Sequence, residues 1–266
     1  MSPAKALTAW QKSCLPTRFG SFPFPMTLQL LLDTADPAAW KAWLPSGLFR
    51  GVTTNPTLLR RAGQPCSVDN LQDLARQALS LGARELHLQT WGADVKAATA
   101  CGLALGAIDP ARVLVKVPLT RSGAETARRL IEAGLAVTFT ACYEVHQVLI
   151  AAALRARYVA PYLGRICDSG RDGHAELIAM QRCLDGLGSS TRLLVASLRH
   201  PDDLARLAAA GMGTFTLSPD LAASLFASEA TAAAAARFER DAAAAQFEQD
   251  AAAAQFERDA LPLQDG

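Results

Sequence analysis

The sequence lacks the features that mark membrane, nucleic-acid-binding and disulfide-bonded proteins. No run of about 18 apolar residues is present, so we expect no transmembrane helix and no membrane partner. There are 26 basic and 25 acidic side chains, for a formal net charge of +1. That balance does not support nucleic-acid binding. The six cysteines are scattered without a CxxC pair, so we expect free thiols in a reducing, cytoplasmic compartment and neither disulfides nor structural zinc.

Motifs of nucleotide, metal and histidine-activated sites are missing as well. Neither a GxGxxG nor a Walker A motif occurs, so no nucleotide cofactor is indicated. None of the four histidines has a clear serine or cysteine nucleophile as partner. The carboxylates show no paired arrangement of the kind used by glycosidases or cation sites. We therefore expect no metal and no organic cofactor.

What the sequence does contain is an alternation of short apolar runs and longer amphipathic stretches. Hydrophobic residues make up 50% of the chain, which suffices for a large core. Eight runs read as strands, each followed by a helical segment, and their apolar character on both faces is typical of parallel strands covered by helices. The predicted strands are Leu28–Asp33, Phe49–Thr53, Glu85–Gln89, Val113–Val117, Ala136–Thr140, Tyr158–Ala160, Leu193–Ala196 and Thr214–Leu217.

Two of the helical segments carry clear local signals. One is predicted over Asp36–Leu44, with Asp36 as N-cap and Pro37 at the first helical position. The other is predicted over Val68–Leu81, where apolar residues recur at helical spacing. Eight βα units in roughly 200 residues predict an α/β fold, a (β/α)₈ TIM barrel in a single domain. An open doubly wound sheet is the alternative.

The two ends of the chain differ from the predicted barrel, which we place at residues 26–228. Residues 1–25 carry Lys5, Lys12 and Arg18 and no acid. This composition fits a disordered extension, a start codon assigned too far upstream, or an organelle transit peptide. Residues 229–266 are alanine-rich and predict a C-terminal helix.

The predicted C-terminal helix contains a repeat. FERDAAAAQ, FEQDAAAAQ and FERDA recur every nine residues, beginning at Phe238, Phe247 and Phe256. Nine residues are about 2.5 helical turns, so Phe247 lies on the face opposite the other two phenylalanines. The period fits neither a heptad nor an 11-residue coiled coil. Such a helix either docks on a neighbouring subunit or is solvated, and the pattern is compatible with both.

Lys116 is the most informative candidate for chemistry. In a (β/α)₈ barrel the active site lies at the C-terminal ends of the strands. Lys116 lies within VLVKVP, with apolar residues on both sides. Burial disfavours the charged ammonium and leaves the free amine that Schiff-base formation requires. A buried lysine that is ion-paired with an acid is the alternative.

Other polar residues end the predicted strands and are further candidates for a site. Arg165, Ser197 and Arg199 follow the sixth and seventh predicted strands, where barrels often bind phosphate. Arginine binds phosphate in bidentate fashion, although an exposed ion pair is the alternative for either arginine alone. The remaining candidates are Asp33, Thr53–Asn55, Gln89, Thr140 and Tyr162.

At these residues the sequence resembles the transaldolase family of class I aldolases. It is most similar to the small-subunit branch that includes fructose-6-phosphate aldolase. The resemblance extends from about residue 26 to about residue 241. The sequence segments that show the resemblance are LLLDTAD around Asp33, GVTTNPTLL at 51–59, VLVKVPLTRSG at 113–123, YVAPYLGRICDSG at 158–170 and LLVASLR at 193–199.

The resemblance implies a role for each candidate. Lys116 would form the Schiff base, and Asp33 would take part in proton transfer at a substrate hydroxyl. Thr54 and Asn55 would bind substrate, Asn55 by holding a hydroxyl next to the imine. The implied catalytic water would be held by Thr140, Gln89 and Tyr162, and the phosphate by Arg165, Ser197 and Arg199.

The implied activity is reversible cleavage of D-fructose 6-phosphate to dihydroxyacetone and D-glyceraldehyde 3-phosphate. Gln89 and Tyr162 favour this lyase, because transaldolases usually have Glu and Phe there. Gly164 and the RICD run that follows it resemble transaldolases, so transfer of a dihydroxyacetone unit between sugar phosphates of the pentose phosphate pathway is the alternative. A non-catalytic sugar-phosphate-binding barrel is a third hypothesis. Sugar phosphates are the expected partners, and the resemblance implies a homo-oligomer, a pentamer or decamer.

Overall fold

The computed structural model describes residues 28–259, and the extension expected at residues 1–25 lies outside them. Short strands and helices alternate along the described chain. The strands are β1 (Gln29–Asp33), β2 (Phe49–Thr53), β3 (Glu85–Gln89), β4 (Val113–Pro118), β5 (Val137–Cys142), β6 (Tyr158–Pro161), β7 (Arg192–Leu193) and β8 (Thr214–Leu217).

At least one helix follows every strand, as the sequence predicts. The α-helices are α1 (Pro37–Trp43), α2 (Pro56–Arg61), α3 (Val68–Ser80), α4 (Val95–Gly106), α5 (Arg121–Glu132), α6 (Gln147–Ala153), α7 (Leu163–Asp168), α8 (Gly173–Gly186), α9 (Pro201–Ala209), α10 (Pro219–Ser224) and α11 (Glu229–Asp259).

All eight strands are parallel and form one closed sheet. Their order is β7-β6-β5-β4-β3-β2-β1-β8, so each strand from β1 to β6 pairs with the next one in sequence, and β8 pairs with β1. Val195 joins the two ends, because its N–H donates to the Thr214 carbonyl and its own carbonyl accepts from the Thr216 N–H, both at 2.9 Å. The (β/α)₈ barrel is thereby confirmed, and the doubly wound alternative is wrong.

The seventh strand departs most from its predicted bounds of Leu193–Ala196. Its regular ladder covers only Arg192–Leu193. Beyond it the N–H groups of Leu194 and Ala196 donate to β6, at 2.9 and 3.0 Å, while that of the residue between them donates to β8. Alternate pairing with two neighbours keeps the segment in the wall of the barrel, although its pairing on either side is sparse.

Local signals in the sequence set the helix boundaries. Asp36 caps α1 through its side chain, which accepts the Ala38 N–H at 2.9 Å. Ser67 caps α3 in the same way, accepting the Asn70 N–H at 3.2 Å. Each cap satisfies a backbone N–H that has no partner within its helix. Both helices begin where the sequence predicts and end one residue earlier.

The C-terminal helix lies away from the core. α11 begins at Glu229. Its residues through 250 are almost all exposed, with Phe238 at 69% and Phe247 at 75%. The side chain of Phe256 lies outside the described residues. None of the helices between residues 28 and 259 is both long and apolar enough to cross a membrane.

The inside of the barrel is packed with side chains beneath its C-terminal end. Leu31, Leu114, Tyr158 and Leu194 form an apolar cluster there. Beside them the fully buried His87 ring lies 2.8 Å from Glu85 Oε1 and 2.8 Å from Thr138 Oγ1. These partners satisfy both ring nitrogens, so His87 is a structural residue of the barrel interior.

Candidate active site

A cavity of about 190 Å³ opens at the C-terminal ends of the strands. This is the end of the barrel at which enzymes of this fold place their chemistry. The lining combines charged, hydroxyl and apolar side chains from opposite sides of the barrel. It comprises Asp33, Thr53, Asn55, Thr57, Leu58, Arg61, Lys116, Ala160, Tyr162, Arg165, Leu194, Ala196, Ser197 and Thr216.

Lys116 lies at the bottom of this cavity. β4 is buried on both faces, which leaves Lys116 only 5% exposed. Its Nζ donates to the Thr54 carbonyl at 3.0 Å. Burial lowers the pKa of Lys116, and the nearby Asp33 charge opposes that shift only partly. Lys116 forms no ion pair with the side chains described through residue 250, so the ion-paired alternative is not observed and an amine is available for nucleophilic attack.

Asp33, at the end of β1, presents a carboxylate to the same cavity. Thr53 Oγ1 donates to Asp33 Oδ1 at 2.5 Å and is itself 2.6 Å from Thr216 Oγ1. None of the described residues bonds to Oδ2. One carboxylate oxygen is therefore held by the protein, while the other is available to accept a proton from a ligand hydroxyl.

Asn55 links the second strand to the cavity. It is the N-cap of α2, and its Oδ1 accepts the N–H groups of Thr57 and Leu58 at 2.9 and 3.0 Å. Capping uses the amide oxygen. The side-chain NH₂ group is the part of Asn55 that remains to donate to a bound hydroxyl.

Tyr162 lines the cavity, and its hydroxyl is hydrogen-bonded to the Thr140 hydroxyl behind it, so the two form a hydroxyl pair. The Tyr162 ring packs edge-on against Tyr143 with centroids 5.6 Å apart. The Arg165 guanidinium lies 5.0 Å from the Tyr162 centroid and donates to Tyr143 Oη at 3.2 Å. These contacts fix the Tyr162 hydroxyl in the cavity and orient Arg165 beside it.

The start of α7 and the segment around Ser197, which carry predicted phosphate ligands, are joined by a backbone hydrogen bond. Gly164 donates its N–H to the Ser197 carbonyl at 2.9 Å. A Cβ at position 164 would lie 2.5 Å from that carbonyl and 2.8 Å from Arg199 Nε. Ser197 has a φ of 58°, an unusual value for a non-glycine residue. Arg165 and Ser197 thus enter the cavity from adjoining segments and present donors suited to a phosphate.

Four predicted site residues do not line the cavity. Thr140 is connected to it only through the hydrogen bond to Tyr162. Thr54 is 1% exposed and contributes its carbonyl to Lys116. Gln89 is opposite Lys116 in the β3–β4 register but remains outside the lining. Arg199 forms a bidentate ion pair with Asp168, with Nη1 at 2.7 Å from Oδ1. For Arg199 the exposed ion pair considered from the sequence is the arrangement observed.

Sequence reasoning missed Arg61 and Thr216, both of which line the cavity. Arg61 ends α2 and follows Thr57 and Leu58 at the three- and four-residue spacing that places side chains on one helical face. Thr216 follows Thr214 at the two-residue spacing of a strand face. Periodicity marks both positions, but a single arginine or threonine gives no sign of a ligand.

No metal site accompanies this arrangement in the described chain. Among the side chains that the structure describes, those of residues 28–250, no group of three or more His, Cys, Asp or Glu is placed to hold a metal ion. The chemistry that the cavity offers is that of a buried amine, a carboxylate, an amide donor, the Tyr162 hydroxyl with its Thr140 partner, and two guanidinium groups. Amine and carboxylate together suit carbonyl addition followed by proton transfer.

The sequence of the chain matches known proteins over most of its length. The profile of the family described as "Transaldolase/Fructose-6-phosphate aldolase" matches residues 30–264. A "Probable transaldolase" of Phenylobacterium zucineum (strain HLK1) is 32% identical over 199 residues, covering 75% of this chain and 89% of that protein. Another, from Hydrogenobaculum sp. (strain Y04AAS1), is 30% identical over 214 residues, covering 80% and 96%.

Solved structures share the fold at lower identity. One described as "Native KDPGal structure" has a TM-score of 0.53 at 15% identity, covering 73% of this chain and 84% of that chain. Identity that low supports the barrel architecture alone. The resemblance identified in the sequence motifs is confirmed by the profile and by the relatives: the chain belongs to the transaldolase/fructose-6-phosphate aldolase family.

Proposed function

We propose that the protein transfers a dihydroxyacetone unit between sugar phosphates through a Schiff base on Lys116. The observation that carries this proposal is the buried Lys116 amine, with its lowered pKa, in one cavity with Asp33 and Arg165. Relatives named probable transaldolases support transfer over simple cleavage. The proposal differs from the expectation based on Gln89 and Tyr162, which favoured the lyase.

The residues of the cavity suit each step of such a reaction. The neutral Lys116 amine adds to the C2 carbonyl of a ketose phosphate, the carbonyl oxygen departs as water, and one proton taken up from solvent leaves the imine protonated. Asp33 Oδ2 takes the C4 hydroxyl proton, the C3–C4 bond breaks, and its electron pair moves into the imine to form an enamine. The C4 fragment leaves as an aldehyde, and an acceptor aldehyde adds by the reverse of these steps.

Binding groups lie on either side of the reacting carbons. Arg165 and Ser197 offer donors to the phosphate at the far end of the sugar, where a guanidinium makes strong charge-assisted hydrogen bonds. The Asn55 amide offers a donor to the hydroxyl next to the imine. A phosphate held at one end and an imine at the other fix the substrate for C3–C4 cleavage.

A second candidate, fructose-6-phosphate aldolase, is favoured by the hydrogen bond between Tyr162 and Thr140. Release of free dihydroxyacetone requires that the enamine be protonated at C3 and that the resulting imine be hydrolysed. A water held by the hydroxyl pair would supply that proton. Transfer instead requires the enamine to stay unprotonated until an acceptor arrives.

The two candidates are separated by incubating the protein with fructose 6-phosphate in the absence of an acceptor. A transaldolase releases one equivalent of glyceraldehyde 3-phosphate and stops, and erythrose 4-phosphate restarts it. Sustained release of dihydroxyacetone would instead identify the aldolase. Lys116→Ala should abolish either reaction; a sugar-phosphate-binding barrel would show no turnover and would keep its affinity in that variant.

The Tyr162→Phe variant tests the hydroxyl pair. The substitution removes the Tyr162 hydroxyl, one of the two groups proposed to bind the water. Any dihydroxyacetone release should therefore fall about tenfold or more, while transfer to erythrose 4-phosphate falls less. Both rates are measured on one preparation. Equal loss of both would show that Tyr162 has no part in protonating the enamine.

A further inference from the structure

Three oxygen-bearing side chains are joined by consecutive hydrogen bonds in the barrel interior. Asp33, Thr53 and Thr216 lie on β1, β2 and β8, and β1 is the middle strand of these three. Thr53 Oγ1 is 2.5 Å from Asp33 Oδ1 and 2.6 Å from Thr216 Oγ1. Thr53 is fully buried and Thr216 is 4% exposed, so hardly any solvent competes for these bonds.

The direction of the hydrogen bonds follows from the number of protons that each group can donate. A carboxylate only accepts, and a threonine hydroxyl has a single proton to give. Thr53 uses that proton on Asp33 Oδ1. Its bond to Thr216 therefore has Thr216 as the donor. Donation from Thr216 to Thr53 and from Thr53 to Asp33 is the one arrangement in which both hydroxyl protons form hydrogen bonds within this group. Each of these hydrogen bonds strengthens the other.

We infer that Thr216 is a positioning residue that acts through Thr53 to hold the Asp33 carboxylate for proton transfer. The inference rests on the proposed function, in which Oδ2 takes the C4 hydroxyl proton. When Oδ2 is protonated and C4 becomes a carbonyl carbon, Oδ1 still accepts from Thr53. The hydrogen bonds from Thr216 to Thr53 and from Thr53 to Asp33 therefore stay in place during the step. Groups that are already oriented in this way lower the activation free energy.

Thr214 provides a matched control on the same strand. It lies two residues before Thr216 and so shares its face of β8. It is 1% exposed, and its hydroxyl has no hydrogen-bond partner among the described residues. Replacement by valine is nearly isosteric at both positions and removes a donor to Thr53 only at position 216.

The test compares wild type with Thr216→Val, Thr216→Ser and Thr214→Val. Transfer from fructose 6-phosphate to erythrose 4-phosphate gives kcat and KM. Borohydride trapping of dihydroxyacetone on Lys116 reports imine formation, since that imine has no C4 hydroxyl and does not need Asp33 for cleavage. Thermal unfolding reports folding. We expect about tenfold lower kcat in Thr216→Val, with KM and trapping within about twofold of wild type.

Thr216→Ser should restore kcat to within about threefold of wild type, because it restores the donor, and Thr214→Val should resemble wild type. Equal kcat in the two valine variants would overturn the inference, as would failure of Thr216→Ser to recover activity. If Thr216→Val does not fold, Thr216→Ala makes the same comparison. Absence of trapping in wild type would instead refute the proposed function itself.

Discussion

At the scale of single residues, the protein places a lysine where its charged form is poorly solvated. Lys116 is 5% exposed and its one hydrogen-bond acceptor among the described residues is the Thr54 carbonyl. Water would favour the ammonium far more than this carbonyl does, which is why burial lowers the pKa of Lys116. The charge of the nearby Asp33 acts in the opposite direction and offsets part of that shift.

The two arginines predicted to bind phosphate differ in a way that the sequence did not distinguish. Arg165 lines the cavity, whereas Arg199 is paired with Asp168 outside it. We expect Arg165→Ala to raise KM for fructose 6-phosphate about tenfold to a hundredfold, since a hydrogen bond to a charged group is worth about 1.5–3 kcal/mol.

Arg199→Ala is the companion variant and should change KM by about threefold or less, because an exposed pair contributes little. Steady-state kinetics with fructose 6-phosphate, and trapping with unphosphorylated dihydroxyacetone as a control, measure both variants. A larger KM effect for Arg199→Ala than for Arg165→Ala would show that the Asp168 pair opens to bind the phosphate.

At the scale of helices and strands, Gly164 lets the start of α7 lie against the backbone of Ser197. An added Cβ would lie 2.5 Å from the Ser197 backbone carbonyl, closer than atoms pack. We expect Gly164→Ala to destabilise the fold by about 1–3 kcal/mol and to weaken sugar-phosphate binding by displacing Ser197. Urea unfolding and KM for fructose 6-phosphate give the two readouts.

Gly186→Ala serves as the control for Gly164→Ala. Gly186 ends α8, and no atom lies within 4 Å of the position that a Cβ would occupy there, so alanine should be neutral or stabilise by about 0.5–1 kcal/mol. Equal stability of both variants would mean that the Ser197 segment moves away from α7 without cost.

Elements with regular periodicity were predictable, and positions that depend on long-range contact were not. The bounds of β2, β3 and β8 match the prediction, because each is a short apolar run between polar segments. The short ladder of β7 depends on alternate pairing with two distant strands. Motifs located Lys116, but the sequence held no sign that Arg199 would pair with Asp168.

At the scale of the whole molecule, the barrel and the repeat helix are largely separate. Residues 229–250 of α11 are almost entirely exposed, including both described repeat phenylalanines. We expect truncation after Arg237 to leave the thermal midpoint of the barrel within about 2 °C, since little buried area is lost. Calorimetry and light scattering on the full and truncated chains measure stability and assembly.

The homo-oligomer implied by the family resemblance stays a prediction that the same light-scattering experiment addresses. A fall of about 5 °C or more on truncation would show that α11 is packed, against another copy if the mass falls too. An unchanged midpoint with an unchanged mass would show that the repeats are solvated and dispensable for assembly.

The central claim is that Lys116 forms the covalent intermediate, and reductive trapping tests it most directly. The protein is incubated with fructose 6-phosphate, reduced with borohydride, digested and analysed by mass spectrometry, beside Lys116→Ala. The account predicts a reduced adduct on the peptide that contains Lys116 and none in the variant, with a trapping rate that remains substantial below the ordinary lysine pKa of about 10.4. An unmodified Lys116 peptide, or an adduct on another lysine, would contradict it.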